Sequence, residues 1–254
     1  MKWLRDWRRR AILRNNNINQ AAWHDILRLP ILSGLPIEAQ TQLADWVVLF
    51  LHDKTIFGAA GLEIDDRVRL TIAAQACLLI LALDLDWYKG WSEIIVYPDQ
   101  FVPHREYVDE AGVVHESRYP LMGEAWLGGA VILSWADVAS AGILDGVNVV
   151  LHEFAHKLDM RTGDANGLPT LHTDMRVQDW AAAFKPAYED FCRRVSEGKD
   201  TAINVYAAES PAEFFAVLTE VFFESPHVIQ TEYPLVYAQM RAFYRQDPRV
   251  RLGL

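Results

Sequence analysis

The sequence predicts an α+β fold: a helical first third, a small sheet, and a helical remainder. Three observations carry this reading. Apolar residues recur at helical spacing over 37–52 and 65–83. Between residues 91 and 135 the pattern becomes short β-branched runs bounded by turn residues. From residue 145 helical spacing returns. There is no internal repeat, low-complexity tract or long linker. The 254 residues are therefore read as one unit, with a mainly helical part over 1–90 and a chemistry-bearing part over 91–254.

Residues 1–87 read as helical, punctuated by Pro30, Gly34 and Pro36. The start interleaves Lys2, Arg5, Arg8, Arg9, Arg10 and Arg14 with Trp3, Leu4, Trp7 and Ile12. That pattern fits a solvated N-terminal helix or a frayed terminus, and it could also rest on anionic lipid or an acidic partner. The most apolar run, 73–85, is too short to span a membrane and reaches Asp84 and Asp86, so it reads as a buried helix. Residues 93–97 read as a strand. So do 113–118, after the turn signal at 109–112, and 130–135, after Gly128-Gly129.

The chemistry lies in His152-Glu153-Phe154-Ala155-His156, a HExxH motif within the apolar stretch 147–160. Chance alone gives such a motif in on the order of one to two per cent of chains this long, so its context decides. Asp145-Gly146 reads as a turn and N-cap. Val147, Val150, Leu151, Phe154 and Leu158 then recur on one helical face and would meet a core. On such a helix His152 and His156, four apart, point at one metal ion, while Glu153 stands beside it, free to act as a base. The alternative is an amphipathic helix with two incidental histidines.

Catalytic zinc usually takes three protein ligands. The longer HExxHxxGxxH pattern fails, because Asp159 and Thr162 stand where it requires Gly and His. A carboxylate on a later helix is then expected, and the segment from Ser210 to Glu220 offers Glu213. Glu213 has a second reading, since Ser210-Pro211-Ala212-Glu213 is also a capping box. Glu220 lies seven residues on along the same face, as an alternative ligand or a support for one. Asp159 shares the histidine face. It could hold a ligand imidazole or a neighbouring loop, or be a solvated charge. His172 follows a Gly/Pro-containing loop and could line the cleft. His24, His52, His104, His115 and His227 read as surface or packing residues.

HEFAHKLD, followed about fifty residues later by Tyr206-Ala-Ala-Glu-Ser-Pro-Ala-Glu213-Phe-Phe-Ala, resembles the Mlc titration factor A family. These are bacterial zinc metallopeptidases related in their catalytic domain to anthrax lethal factor. The likeness covers essentially the whole chain and is strongest over 145–225. It implies one Zn2+ held by His152, His156 and Glu213, Glu153 as general base, and Tyr206 as transition-state donor. A phenol is protonated at neutral pH and can donate to an oxyanion, although an ordinary half-buried tyrosine would look the same. In related metallopeptidases a strand ahead of the HExxH helix borders the cleft and pairs with extended substrate. That makes 123–129 a candidate rim, or simply another strand. The resemblance further implies aminopeptidase-like activity and binding of the Mlc transcriptional repressor. Glu124 and Glu209 are the candidates for holding a substrate's amine.

The expectation is thus an α+β, gluzincin-type zinc metallopeptidase acting on peptides. The alternatives are a repressor-binding regulatory protein whose peptidase activity is secondary, and a metal-stabilised structural protein. The formal net charge of −10 argues against direct nucleic-acid binding. No signal-peptide pattern and no transmembrane run is visible, and Cys77 and Cys192 form neither a metal spacing nor a disulfide framework, which points to the cytoplasm.

Overall fold

A computed structural model of the chain describes residues 2–100, 105–108, 114–117 and 122–254. The first part comprises helices α1 (Lys2–Asn15), α2 (Gln20–Ile26), α3 (Ile37–Asp53) and α4 (Asp66–Leu79). Asp65 caps α4 by accepting from the Val68 N–H at 2.8 Å. Every residue from 72 to 79 is fully buried, as expected of a helix that is apolar on all sides. Arg5 and Arg9 of α1 reach across to Asp86 and Asp84 at 2.6 and 2.7 Å, while Trp3 and Trp7 remain exposed.

The helical reading of residues 1–87 needs one correction. Strand β1 (Thr55–Gly58) follows α3 and pairs in parallel with β2 (Glu93–Tyr97). Four residues beside a long helix are too few to show a two-residue period. The sheet runs β1-β2-β6-β5, with β5 (Gly123–Ala125) and β6 (Val131–Ser134). β2 pairs with β6 in parallel, and β5 joins the edge antiparallel to β6. The strand expected over 130–135 therefore ends at Ser134, whose hydroxyl caps α5 (Trp135–Ser140). β3 (Arg105–Val108) and β4 (Val114–Ser117) form a separate antiparallel pair. β4 realises the strand expected over 113–118, whose end residues lie outside the described ones.

The C-terminal half supplies α6 (Val149–Asp159), α7 (Val177–Ser196), α8 (Pro211–Glu224), α9 (Pro226–Glu232), α10 (Pro234–Tyr244) and α11 (Pro248–Leu252). The last four each open on a proline, whose fixed φ and missing N–H suit a first helical turn. α6 lies between α4 and α8, with β5 along its flank. Among the described residues no helix is long and apolar enough to cross a membrane.

Candidate active site

α6 starts three residues later than the sequence suggests. Asn148 caps it, with its Oδ1 accepting from the Leu151 N–H at 3.0 Å. Asp145 instead accepts from the Val147 N–H at 3.0 Å and closes the preceding turn. Val147 consequently lies outside the helix and is 40% exposed, contrary to its expected place in the core. Val150, Leu151, Phe154 and Leu158 are fully buried.

The helix presents His152 and His156 from successive turns. Their Nε2 atoms are 3.2 Å apart. Glu213 Oε2, from the first turn of α8, lies 3.0 Å from the first and 3.3 Å from the second. Among the described residues these three side chains form a group that could hold a metal ion. Donors about 2.0–2.1 Å from one centre at tetrahedral angles stand about 3.3 Å from each other, so the triangle has the right size. Both readings of Glu213 meet here. Its N–H donates to Ser210 Oγ at 3.1 Å, the backbone half of a capping box, while its carboxylate turns to the histidines. Burial alone would raise the Glu213 pKa, but the hydrogen bonds with His152 and His156 win and hold it at about 2. Burial likewise opposes charge on His152, yet Glu213 and Glu220 pull its pKa well above the usual imidazole range.

Glu220 supports this group and does not belong to it. Its Oε1 lies 2.8 Å from His152 Nδ1. A carboxylate accepts, so Glu220 holds a proton on Nδ1, and Nε2, which faces Glu213, is the nitrogen that would bind a metal. The other Glu220 oxygen accepts from the Asn148 N–H. Four residues on, Glu224 Oε1 accepts from Asn148 Nδ2 at 2.8 Å and Gly142 N–H at 3.1 Å, and Oε2 from Gly146 N–H at 3.0 Å. Asn148 Nδ2 also donates to Gln75 Oε1 of α4 at 2.6 Å. One face of α8 thus carries three carboxylates, at 213, 220 and 224, that reach the histidines, the cap of α6 and the loop before it.

Asp159 holds a loop. Its Oδ2 accepts from the Asn166 and Gly167 N–H groups at 2.8 and 2.7 Å. Asp159 is itself buried, so it is no solvated charge, and His156 Nδ1 has no hydrogen-bond partner among the described residues, so Asp159 does not hold that ring. Gly167 has φ +80°, and a Cβ there would lie 2.4 Å from the Pro211 carbonyl oxygen, so the loop rests directly on the start of α8.

Glu153 is buried, and burial is the main force raising its pKa to about 7. Its Oε2 has no hydrogen-bond partner among the described residues. β5 passes so close that a Cβ on Gly123 would meet Glu153 Oε1 at 2.5 Å. The turn joining β5 to β6 is tied to α6 by Lys157, whose ammonium donates to the Trp126 and Gly129 carbonyls at 2.6 and 2.8 Å. Trp91 receives the Lys157 ammonium 4.8 Å from its ring centre and that of Lys54 at 4.0 Å. Burial lowers both lysines to about 8.

Tyr206 sits in a short turn over Val205–Ala208 whose start is capped by Asn204. It is 40% exposed, and its ring centre is 5.9 Å from that of His152. A cavity of about 280 Å3 opens here, lined by Gly123, His152, Glu153, Asn204 and Tyr206 among others. Glu124 and Glu209 do not line it. His172 packs edge-on against Trp87, and its Nε2 lies 2.8 Å from the Phe243 carbonyl, which corrects its expected place in the cleft.

Sequence reasoning missed Lys54, Gln75, Trp91, Asn148, Lys157 and Glu224. Two of these left a signal: Asn148, a preferred N-cap residue just ahead of the apolar helix, and Glu224, a carboxylate one turn beyond Glu220 in an otherwise apolar helix end.

The family described as glucose-regulated metallo-peptidase M90 matches residues 4–245. "Mlc titration factor A" of Escherichia fergusonii is 37% identical over 91% of this chain and 88% of its own length. The protein of that name from Cronobacter sakazakii is 37% identical over the same shares. That from Salmonella arizonae is 36% identical over 99% of both chains. With a group able to hold a metal ion and a match across nearly its full length, the chain belongs to the M90 metallopeptidase family.

Proposed function

We propose that the protein is a gluzincin-type, zinc-dependent peptidase with aminopeptidase-like activity. The observation that carries the reading is the triangle of His152 Nε2, His156 Nε2 and Glu213 Oε2, with a buried carboxylate beside it. Two imidazole nitrogens and one carboxylate oxygen suit zinc. Held by His152, His156 and Glu213, a zinc ion would supply Lewis acidity for a carbonyl and for water. Glu153, titrating near neutrality and lacking a partner on Oε2, takes the proton from the attacking water and returns it to the leaving amine. Tyr206 donates its phenolic hydrogen to the developing oxyanion. Glu220 keeps His152 in the tautomer that leaves Nε2 free. The test is metal analysis of the purified protein together with peptide hydrolysis, with and without chelator. Glu153→Gln keeps the metal and loses nearly all hydrolysis. A metal-replete Glu153→Gln with full activity sinks the assignment.

The relatives' name supports a second role, binding of the Mlc repressor, which would place the protein in the cytoplasm. Recognition of a repressor surface does not use the base, so Glu153→Gln should still bind Mlc in a pull-down with purified components. If that variant loses Mlc together with hydrolysis, the two roles share one site.

A further inference from the structure

We propose that a groove adjoining the catalytic cavity is a specificity subsite for a bulky apolar side chain next to the scissile bond. The inference rests on the peptidase reading above. The groove encloses about 490 Å3, and Val147 and Asn204 line both it and the catalytic cavity, so the two spaces adjoin. Val205 and Tyr206 are neighbours in one turn, with Val205 lining the groove and Tyr206 the catalytic side. A peptide held at the histidines therefore has an adjacent side chain within reach of the groove.

The walls define what fits. Ile203 and Val221 are buried at its base, Val228 is half-buried, and Val147 and Val205 are 40% and 58% exposed. Two neighbouring β-branched side chains left in water at the mouth of a cleft are a cost that an apolar side chain of the substrate removes. Asp145 and Asp200 stand exposed on the lining. The Lys199 ammonium there pairs with Glu197 at 2.6 Å, so little positive charge is left to welcome an acidic side chain. The groove thus takes Leu-sized apolar groups, tolerates Ala weakly and rejects Glu.

The test uses unblocked hexapeptides carrying Leu, Ala or Glu at each position in turn, with full-length, zinc-loaded protein. At one position flanking the cleaved bond, kcat/KM for Leu exceeds that for Ala about tenfold or more, with Glu poorest. Val205→Asp lowers the Leu-to-Ala ratio at that position about tenfold, and Val205→Lys raises the rank of Glu. A Val205→Asp protein with the wild-type ratio overturns the subsite, and so does hydrolysis without preference at either flank. Binding separates this proposal from the peptidase reading. Calorimetry with Glu153→Gln should show the same Leu preference, lost when Val205→Asp is added. Selective binding without hydrolysis by the wild-type protein keeps the subsite and removes the peptidase. Hydrolysis without selectivity does the reverse, and the absence of both removes both.

Discussion

Replacing Gly123 by Ala should disable the proposed base while leaving the fold and metal site intact. The added Cβ would stand 2.5 Å from Glu153 Oε1, 2.6 Å from Cγ and 2.8 Å from Cδ, where real contacts begin above 3.0 Å. The strand cannot yield easily. Gly123 pairs with Leu133 of β6, and the Ser134 N–H donates to the Met122 carbonyl at 2.8 Å beside it. The Glu153 carboxylate is the movable partner, and it must retreat by about 0.5–0.9 Å. A misplacement of about 1 Å can cost about 10²-fold in rate, so kcat/KM should fall about 10–100-fold. Stability should fall by about 1–3 kcal/mol, the usual cost of overpacking, too little to unfold the protein. Steady-state hydrolysis, zinc content and thermal melting of the Gly123→Ala protein provide the test. Adding Ala to Glu153→Gln should cause almost no further loss, since the group it displaces is already inactive. Wild-type kcat/KM in Gly123→Ala would refute the idea that β5 sets the position of the base. A parallel loss of zinc would show that the change acts on the metal group instead.

Three further outcomes are expected. Glu220→Ala should weaken zinc binding about 10–100-fold in competition with a chromogenic chelator, because the His152 ring loses the partner that fixes its tautomer. Tyr206→Phe should lower kcat by about tenfold to a thousandfold with little change in KM or zinc content, and a silent substitution would reduce Tyr206 to a packing residue. Glu224 titrates near 7 because burial outweighs its three N–H donors, so it destabilises the folded state once ionised. Its folded pKa lies above the unfolded one, so that stability is full below pH 4.5 and is lost as pH rises through 7. Against wild type, Glu224→Gln should be the less stable protein at pH 5, having lost an acceptor, and should close that gap by on the order of 3 kcal/mol by pH 8 in denaturant titrations. A gap independent of pH would mean that Glu224 stays ionised throughout.

The legible parts of this chain are those whose partners lie close in sequence. His152 and His156 are four residues apart, and Ser210, Pro211 and Glu213 announce a helix start, so a motif and a cap signal are enough to find them. The side chains that hold them in place are recruited from far along the chain. Asn148 meets Gln75 and Glu224, and Lys157 meets the turn after β5. Lys157 reads locally as an ordinary cation in a last helical turn. The strand β1 failed to register because four residues carry too little pattern. Asp145 was a plausible cap on chemistry, but Asn148 won because its side chain could also be satisfied in the interior. His172 follows a turn-rich segment, as cleft residues often do, and only packing against Trp87 and Phe243 shows that it faces elsewhere.

The three carboxylates on α8 make that helix intolerant of insertion. Each residue of an α-helix turns the chain by about 100° and advances it by about 1.5 Å. One residue added between Glu213 and Glu220 would leave one end on the histidines and swing Glu220 and Glu224 away from His152, Asn148 and the loop before α6. A deletion would do the same in the other direction. The stretch just after α7, Glu197–Asp200, has no such constraint, since all four residues are exposed. Length variation among homologous chains should therefore collect around Glu197–Asp200 and be absent from Glu213 to Glu224, where a single-residue change in spacing would separate Glu213 from the residues that keep α6 in place.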